Sequence, residues 1–266
     1  MKPKISDLIW LALALAILPA ISLADSLPNQ ILWNKDGAEM AYIPAGSFEM
    51  GDAMNETESY MERSRPVHTV TLDGFYMDKT EVTVGQFKAF LADSDYIWGG
   101  SWTSVDQYSL TDDHPMIYVT WWDAVAYATW AGKRLPTEAE WEKAARGGLA
   151  GKRYPWGDEV DNTKAHYDSW NDGNGTTQPV GSYAANGYGL YDVAGNVWEW
   201  CLDKSDSSYY DNSPAENPLS TDYADIQALL DNYDSVSSRR VLRGGDWNTS
   251  ANYLRVAHRN NHSPNS

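Results

Sequence analysis

The chain has 266 residues, with 20 Lys and Arg against 37 Asp and Glu, and a formal net charge of −17. That balance argues against a nucleic-acid partner or an anionic lipid surface, because counterion release needs clustered cations. Thirteen Trp and 17 Tyr against four Phe predict a core of large rings whose polar handles need hydrogen-bond partners, which suits an irregular, loop-rich fold. Cys201 is the only cysteine, so no intrachain disulfide framework is available.

Lys2 and Lys4 precede an apolar run from Leu8 to Leu18, then Pro19 and a small-residue exit, Ser22-Leu23-Ala24. The pattern reads as a signal peptide, residues 1–24, cleaved to leave Asp25 first and to place the protein in the periplasm or outside the cell; an uncleaved anchor is the alternative. No cysteine follows the exit, which argues against a lipid anchor, and no later stretch is long and uncharged enough for a membrane helix. Residues 25–266 carry no repeat and no Pro/Ser-rich linker, so they read as one domain.

Met40–Ile43 and Ser47–Met50 are short apolar runs separated by Pro44, Ala45 and Gly46, which predicts a hairpin. Val67 to Leu72 alternates as a strand does. Thr83 with Gln86 forms a capping box that opens a helix through about Leu91. Met116 to Val119 is strand-like, and Thr120 with Asp123 predicts a second helix that Gly132 ends. Thr137 with Glu140 predicts a third, with an apolar face of Ala139, Trp141, Ala144 and Ala145, ending at Gly147-Gly148. Beyond it only Tyr223 to Leu230 carries a weak helical signal. Gln178 to Tyr183 and Arg240 to Arg243 are short strand-like runs in a Gly-, Asn- and Asp-rich half, where function is expected on loops. Helices early and irregular β late make an α+β domain.

Arg134-Leu-Pro-Thr-Glu-Ala-Glu-Trp-Glu-Lys-Ala-Ala-Arg146, Tyr154-Pro-Trp-Gly-Asp158, Asn186-Gly-Tyr-Gly-Leu-Tyr-Asp192, Gly195-Asn-Val-Trp-Glu-Trp200 and Arg243-Gly-Gly-Asp-Trp247 follow one another in that order. Together with Ile43-Pro-Ala-Gly-Ser-Phe-Glu-Met-Gly51, they make residues 40–264 resemble the formylglycine-generating enzymes, the sulfatase-modifying factor family. The resemblance implies an irregular α+β fold similar to a C-type lectin, with bound calcium. Family members continue past Arg259-Asn-Asn-His-Ser-Pro-Asn265 into a closing Gly-Phe-Arg strand. The resemblance therefore implies a domain truncated at its carboxy terminus, with an open sheet edge.

Calcium takes six to eight hard oxygens from carboxylates and turning backbone. Asp192 and Glu199 bracket Gly195-Asn196-Val197, and Asp168-Ser169 precedes Asp172-Gly173-Asn174. By spacing alone these acids could equally be solvated or capping residues. The resemblance implies two calcium sites: Asp192, Gly195, Val197 and Glu199 for one, and Asp168, Ser169, Asp172 and Asn174 for the other, with Gly195, Val197, Ser169 and Asn174 contributing carbonyls.

The oxidase members of the family hold copper on a cysteine pair after Arg-Gly-Gly, whereas Asp246-Trp-Asn-Thr-Ser-Ala-Asn-Tyr-Leu-Arg255 contains none. Without thiolates copper has no suitable site. Cys201, beside Trp198-Glu-Trp200, reads as a buried filler. The five histidines, His68, His114, His166, His258 and His262, make no closely spaced metal motif with a carboxylate. Two functions follow. The first is a non-catalytic, calcium-binding module that presents Asp246, Trp247, Asn248, Asn252, Tyr253, Arg255, His258 and Asn260 to a protein, peptide or glycan, as paratope-like loops do; the segment is also similar to the variable tail of retroelement-diversified proteins. The second is an exported oxidoreductase of the sulfatase-maturation or pyoverdine-maturation type.

Overall fold

The computed structural model describes residues 27–169 and 175–266. Five strands fill the first part of the chain: β1 (Gln30–Leu32), β2 (Glu39–Ile43), β3 (Gly46–Met50), β4 (His68–Leu72) and β5 (Phe75–Asp78). They form an antiparallel sheet of order β1-β2-β5 and a separate β3-β4 pair. The hairpin expected between 40–43 and 47–50 is therefore not made. Ile43 instead faces Phe75 across β2 and β5, and Met50 faces His68 across β3 and β4.

Helices α1 (Val84–Ala92), α2 (Trp102–Val105), α3 (Trp121–Trp130) and α4 (Glu138–Arg146) come next, then β6 (Glu199–Lys204), α5 (Ile226–Asp231), β7 (Arg240–Arg243) and β8 (Asn260–His262). The three expected capping boxes are made at Thr83, Thr120 and Thr137, each threonine accepting the N3 backbone N–H while the N3 side chain accepts the N-cap N–H. They were legible because both partners lie within four residues. α4 ends at Gly147, whose φ of +57° is left-handed and whose added Cβ would lie 2.7 Å from the Gly187 nitrogen. Met116–Val119 and Gln178–Tyr183 form no strand; the first contributes only a neighbouring bridge between Thr83 and Pro115. The mixture of small sheets and short helices is the α+β architecture expected. Among the described residues no helix is long and apolar enough to cross a membrane.

The core gathers β2, α4, β6 and β7 around Ile43, Trp141, Ala144, Cys201 and Val241. At its centre lies a dry ionic network. Arg243, 0% exposed, donates to Glu138 Oε1 at 2.8 Å and to Glu142 Oε2 at 2.7 Å. Arg259 donates through Nε and Nη2 to the two oxygens of Glu138, both at 2.7 Å, and Arg146 donates to Glu142 Oε1 at 2.6 Å. Burial pushes the Glu142 carboxyl up, but Arg146 and Arg243 outweigh it and hold the group below its usual range. The guanidinium of Arg243 also sits over the Trp141 ring, 5.0 Å from its centroid.

Truncating one partner of such a network strands a buried charge, at a cost of roughly 3–5 kcal/mol. Arg243→Ala is expected to lower the melting temperature by on the order of 10 °C in a domain of this size. Lys88→Ala, which breaks the exposed pair with Asp112, should change stability by less than about 1 kcal/mol. Calorimetry of both variants checks the contrast.

Candidate functional site

Three loop segments, 166–169, 192–197 and 244–249, interlace beside the core. Gly195 N donates to Gly244 O, Asn196 N to His166 O, Trp247 N to Asn196 O and Ser169 N to Trp247 O, all at 2.8–2.9 Å. Asp168, Asp192 and Asn196 take left-handed φ values of 51°, 52° and 58°. At Gly195, φ +93°, a Cβ would lie 2.4 Å from His166 O, so only glycine permits the approach.

Asp192 and Glu199 lie within electrostatic reach of each other, and a third acid, Glu81, lies within reach of both. Gly181 N donates to Asp192 Oδ2 at 2.5 Å and Trp141 Nε1 to Glu199 Oε2 at 3.0 Å. Both Glu81 oxygens are sealed from solvent without a hydrogen-bond partner, although Asn196 faces them. Burial pushes Asp192 up to about 6. Burial, then the Asp192 charge, pushes Glu199 up to about 7. Burial followed by Asp192 and Glu199 pushes Glu81 well above the carboxylate range. No hydrogen bond among the described residues ends on the Gly195 or Val197 carbonyl. Nor, among those residues, do three His, Cys, Asp or Glu side chains gather into a metal-holding cluster. A cation here would therefore depend on the two carbonyls as much as on the acids. Spacing could not reveal Glu81, which lies more than a hundred residues upstream.

Asp168 and Ser169 are fixed to the same weave by Asp168 N to Thr249 O at 3.0 Å and by the Ser169–Trp247 bond. The Ser169 hydroxyl is buried without a partner. Asp172 and Asn174 lie outside the described residues.

The 246–260 segment divides in two. Asp246 accepts Asn248 N at 3.0 Å and its carboxyl is pushed up by burial; Trp247 packs on Tyr108 with ring centroids 5.7 Å apart, and its Nε1 has no partner. Asn248 is exposed. Farther along, Tyr253 stacks on Tyr60 at 5.8 Å, 10° from parallel, and meets His258 edge-on at 5.0 Å, with Trp198 against both. Arg255 Nη2 donates to Glu58 Oε1 at 2.8 Å and Asn252 Oδ1 at 2.9 Å. Arg255 and His258 are thus buried groups that brace the segment, whereas Asn252 and Tyr253 remain half-buried at its surface. Asn260 lies in β8 opposite Leu242.

Cys201 is fully buried, and burial pushes its thiol well above the ordinary range. The position after Arg243-Gly-Gly offers Thr249 and a buried Leu254 but no thiol.

The sulfatase-modifying factor enzyme 1-like domain matches residues 30–266. The chain belongs to that family. It is 36% identical to the formylglycine-generating enzyme of Streptomyces coelicolor over 84% of this chain and 84% of the relative. It is 38% identical to the serine/threonine-protein kinase Pkn1 of Chlamydia trachomatis over 85% of this chain, although it spans only 36% of that protein. Among solved structures, PvdO from Pseudomonas aeruginosa superposes with a TM-score of 0.71 at 28% identity, covering 88% of this chain and 92% of PvdO. Treponema denticola variable protein 1 gives 0.66 at 25%, covering 89% and 94%.

His258 generates a testable consequence for this member of the family. Burial, then the charges of Arg243, Arg63 and Arg255, depresses its pKa from 6.5 to about 3. The unfolded chain binds the extra proton between those values, so the group's stabilising contribution is full above pH 6.5 and is lost as pH falls toward 3, at about 1.4 kcal/mol per pH unit. Urea unfolding across this range should show a shallower acid slope in His258→Gln than in the parent.

Proposed function

We propose that this protein is an exported, calcium-stabilised binding module of the sulfatase-modifying factor family, which offers its 246–265 loop region to a protein, peptide or glycan. The observation that carries the reading is the thiol-free segment after Arg243-Gly-Gly, together with the sealing of Cys201 in the core. Cu(I) prefers soft thiolate ligands, and the oxygens of Asp246, Asn248 and Thr249 are poor substitutes. Asp246, Trp247, Asn248, Asn252, Tyr253 and Asn260 are half-buried or exposed and so available to a ligand, with Tyr253 pre-ordered by Tyr60. Export is read from the charged start, short apolar run and Ser-x-Ala exit.

The donor set fits calcium. Asp192, Glu199 and the Gly195 and Val197 carbonyls would supply hard oxygens, with the Glu81 carboxyl nearby. Calcium would neutralise acids that otherwise repel one another, and water can complete its six to eight ligands. Asp168, Ser169, Asp172 and Asn174 form the second proposed site. If affinity matches extracellular modules, Kd about 10⁻⁴–10⁻³ M, then ~1 mM calcium adds roughly 0.4–1.4 kcal/mol per site. Wild type is expected to melt a few degrees lower in chelator than in excess calcium, and Glu199→Ala should lose much of that difference; an unchanged curve for wild type would remove calcium from the reading.

The second reading, an oxidoreductase, draws on the 36% identity to a formylglycine-generating enzyme. Incubation with a Cys-x-Pro-x-Arg peptide, Cu(I), reductant and oxygen separates the two. No aldehyde should appear in the peptide mass spectrum. Catalytic aldehyde formation that survives Cys201→Ser would replace the binding-module reading with the enzymatic one.

A further inference from the structure

A cavity of about 430 Å³ lies between the β1-β2-β5 sheet, α3 and β6, with no residue of the 246–260 segment on its lining. On α3 and just after it, Ala124, Ala128 and Gly132 recur at four-residue spacing along one wall and leave it without bulk. Facing them are Phe75 and Met77 of β5, with Val82, Val119 and Trp200 closing the sides. An apolar hollow of this size forfeits dispersion contacts along its lining until a guest fills it.

Most of the polar side chains on the lining are committed within the protein, whereas the Thr80 and Tyr191 hydroxyls and the Trp198 Nε1 make no hydrogen bond among the described residues. Trp33 Nε1 donates to Ala131 O at 2.6 Å, Tyr76 hydroxyl to Pro28 O at 2.7 Å and Tyr127 hydroxyl to Asp36 Oδ2 at 2.9 Å. Lys133 is held by Asp36 and Asp78, both at 2.7 Å. Arg134 forms a two-pronged pair with Glu140, both bonds at 2.7 Å, and Trp200 Nε1 donates to Val119 O at 3.2 Å. The carboxylate oxygens of Glu81, although its side chain borders the space, are sealed from it. A guest with many hydrogen-bonding groups would leave most of them unpaired, which disfavours it.

We infer that this cavity is a ligand site for a small, uncharged, hydrocarbon-like molecule. Its volume falls within the range of about 300–1,000 Å³ that small-molecule pockets span. Recognition comes from shape and apolar contact, as in pockets whose walls are mostly hydrophobic and aromatic. The inference does not depend on the calcium or display readings, although Val197 and Glu199 border both the cavity and the proposed cation site.

N-phenyl-1-naphthylamine, an uncharged fluorescent probe, tests it. Titration into the protein, in excess calcium and in chelator, should give saturable blue-shifted emission with one probe per chain, reversed by decanol. Ala128→Phe, which fills the cavity, should weaken binding at least tenfold, and Ala124→Leu should weaken it by a smaller factor. Should Ala128→Phe lose its far-UV circular dichroism, Ala124→Leu and the decanol competition decide. Non-saturable emission, failure of decanol to compete, or unchanged affinity in folded filling variants would overturn the assignment in either calcium condition.

Discussion

The fold depends on one buried ionic assembly, in which Arg243, Arg259 and Arg146 share the carboxylates of Glu138 and Glu142. It joins β7, the turn before β8 and the successive faces of α4. Gly51 N adds a bond to Glu142 at 2.8 Å and so ties in the end of β3. Burying five charges is expensive, and it succeeds here because nearly every donor and oxygen finds a geometric partner. The Arg-Leu-Pro-Thr-Glu and Arg-Gly-Gly motifs acquire a physical meaning from this assembly. They place the charged members on elements that cannot be moved apart without opening the core.

Local rules were legible in the sequence and long-range ones were not. Thr83, Thr120 and Thr137 announce their helices because cap and partner are three residues apart. Pro44-Ala-Gly46 announces a turn, but not that β2 leaves its neighbour to pair with β1 and β5. Runs such as Met116–Val119 look like strands by composition, yet the surrounding loops offer no partner strand. At the site, Asp192 and Glu199 lie seven residues apart in one segment, close enough to be considered together from the sequence. Glu81 is invisible until the chain is folded. Arg255 and His258 read as presentable polar residues because nothing nearby in sequence indicates that Tyr60, Glu58 and Trp198 enclose them.

The interior separates two electrostatic regimes. On one side of α4, positive and negative groups are matched and dry. On the other, Glu81, Asp192 and Glu199 influence one another with no ion-pair partner among the described residues, and burial raises all three toward neutrality. Such an imbalance costs stability unless protons or a cation relieve it. The left-handed backbone of the non-glycine residues Asp192 and Asn196 is concentrated at the same place.

Trp141 stands at the border of these regimes. Its indole N–H points at Glu199, while the guanidinium of Arg243 lies over its face. An indole has an electropositive edge and an electron-rich surface. One ring therefore solvates an anion and a cation at once, in a region that excludes water. Phenylalanine would keep the face but offer Glu199 no donor, and histidine would donate but present a smaller, weaker surface to Arg243. The tryptophan at this point acts as a small two-sided solvent, and its identity follows from the charges it separates.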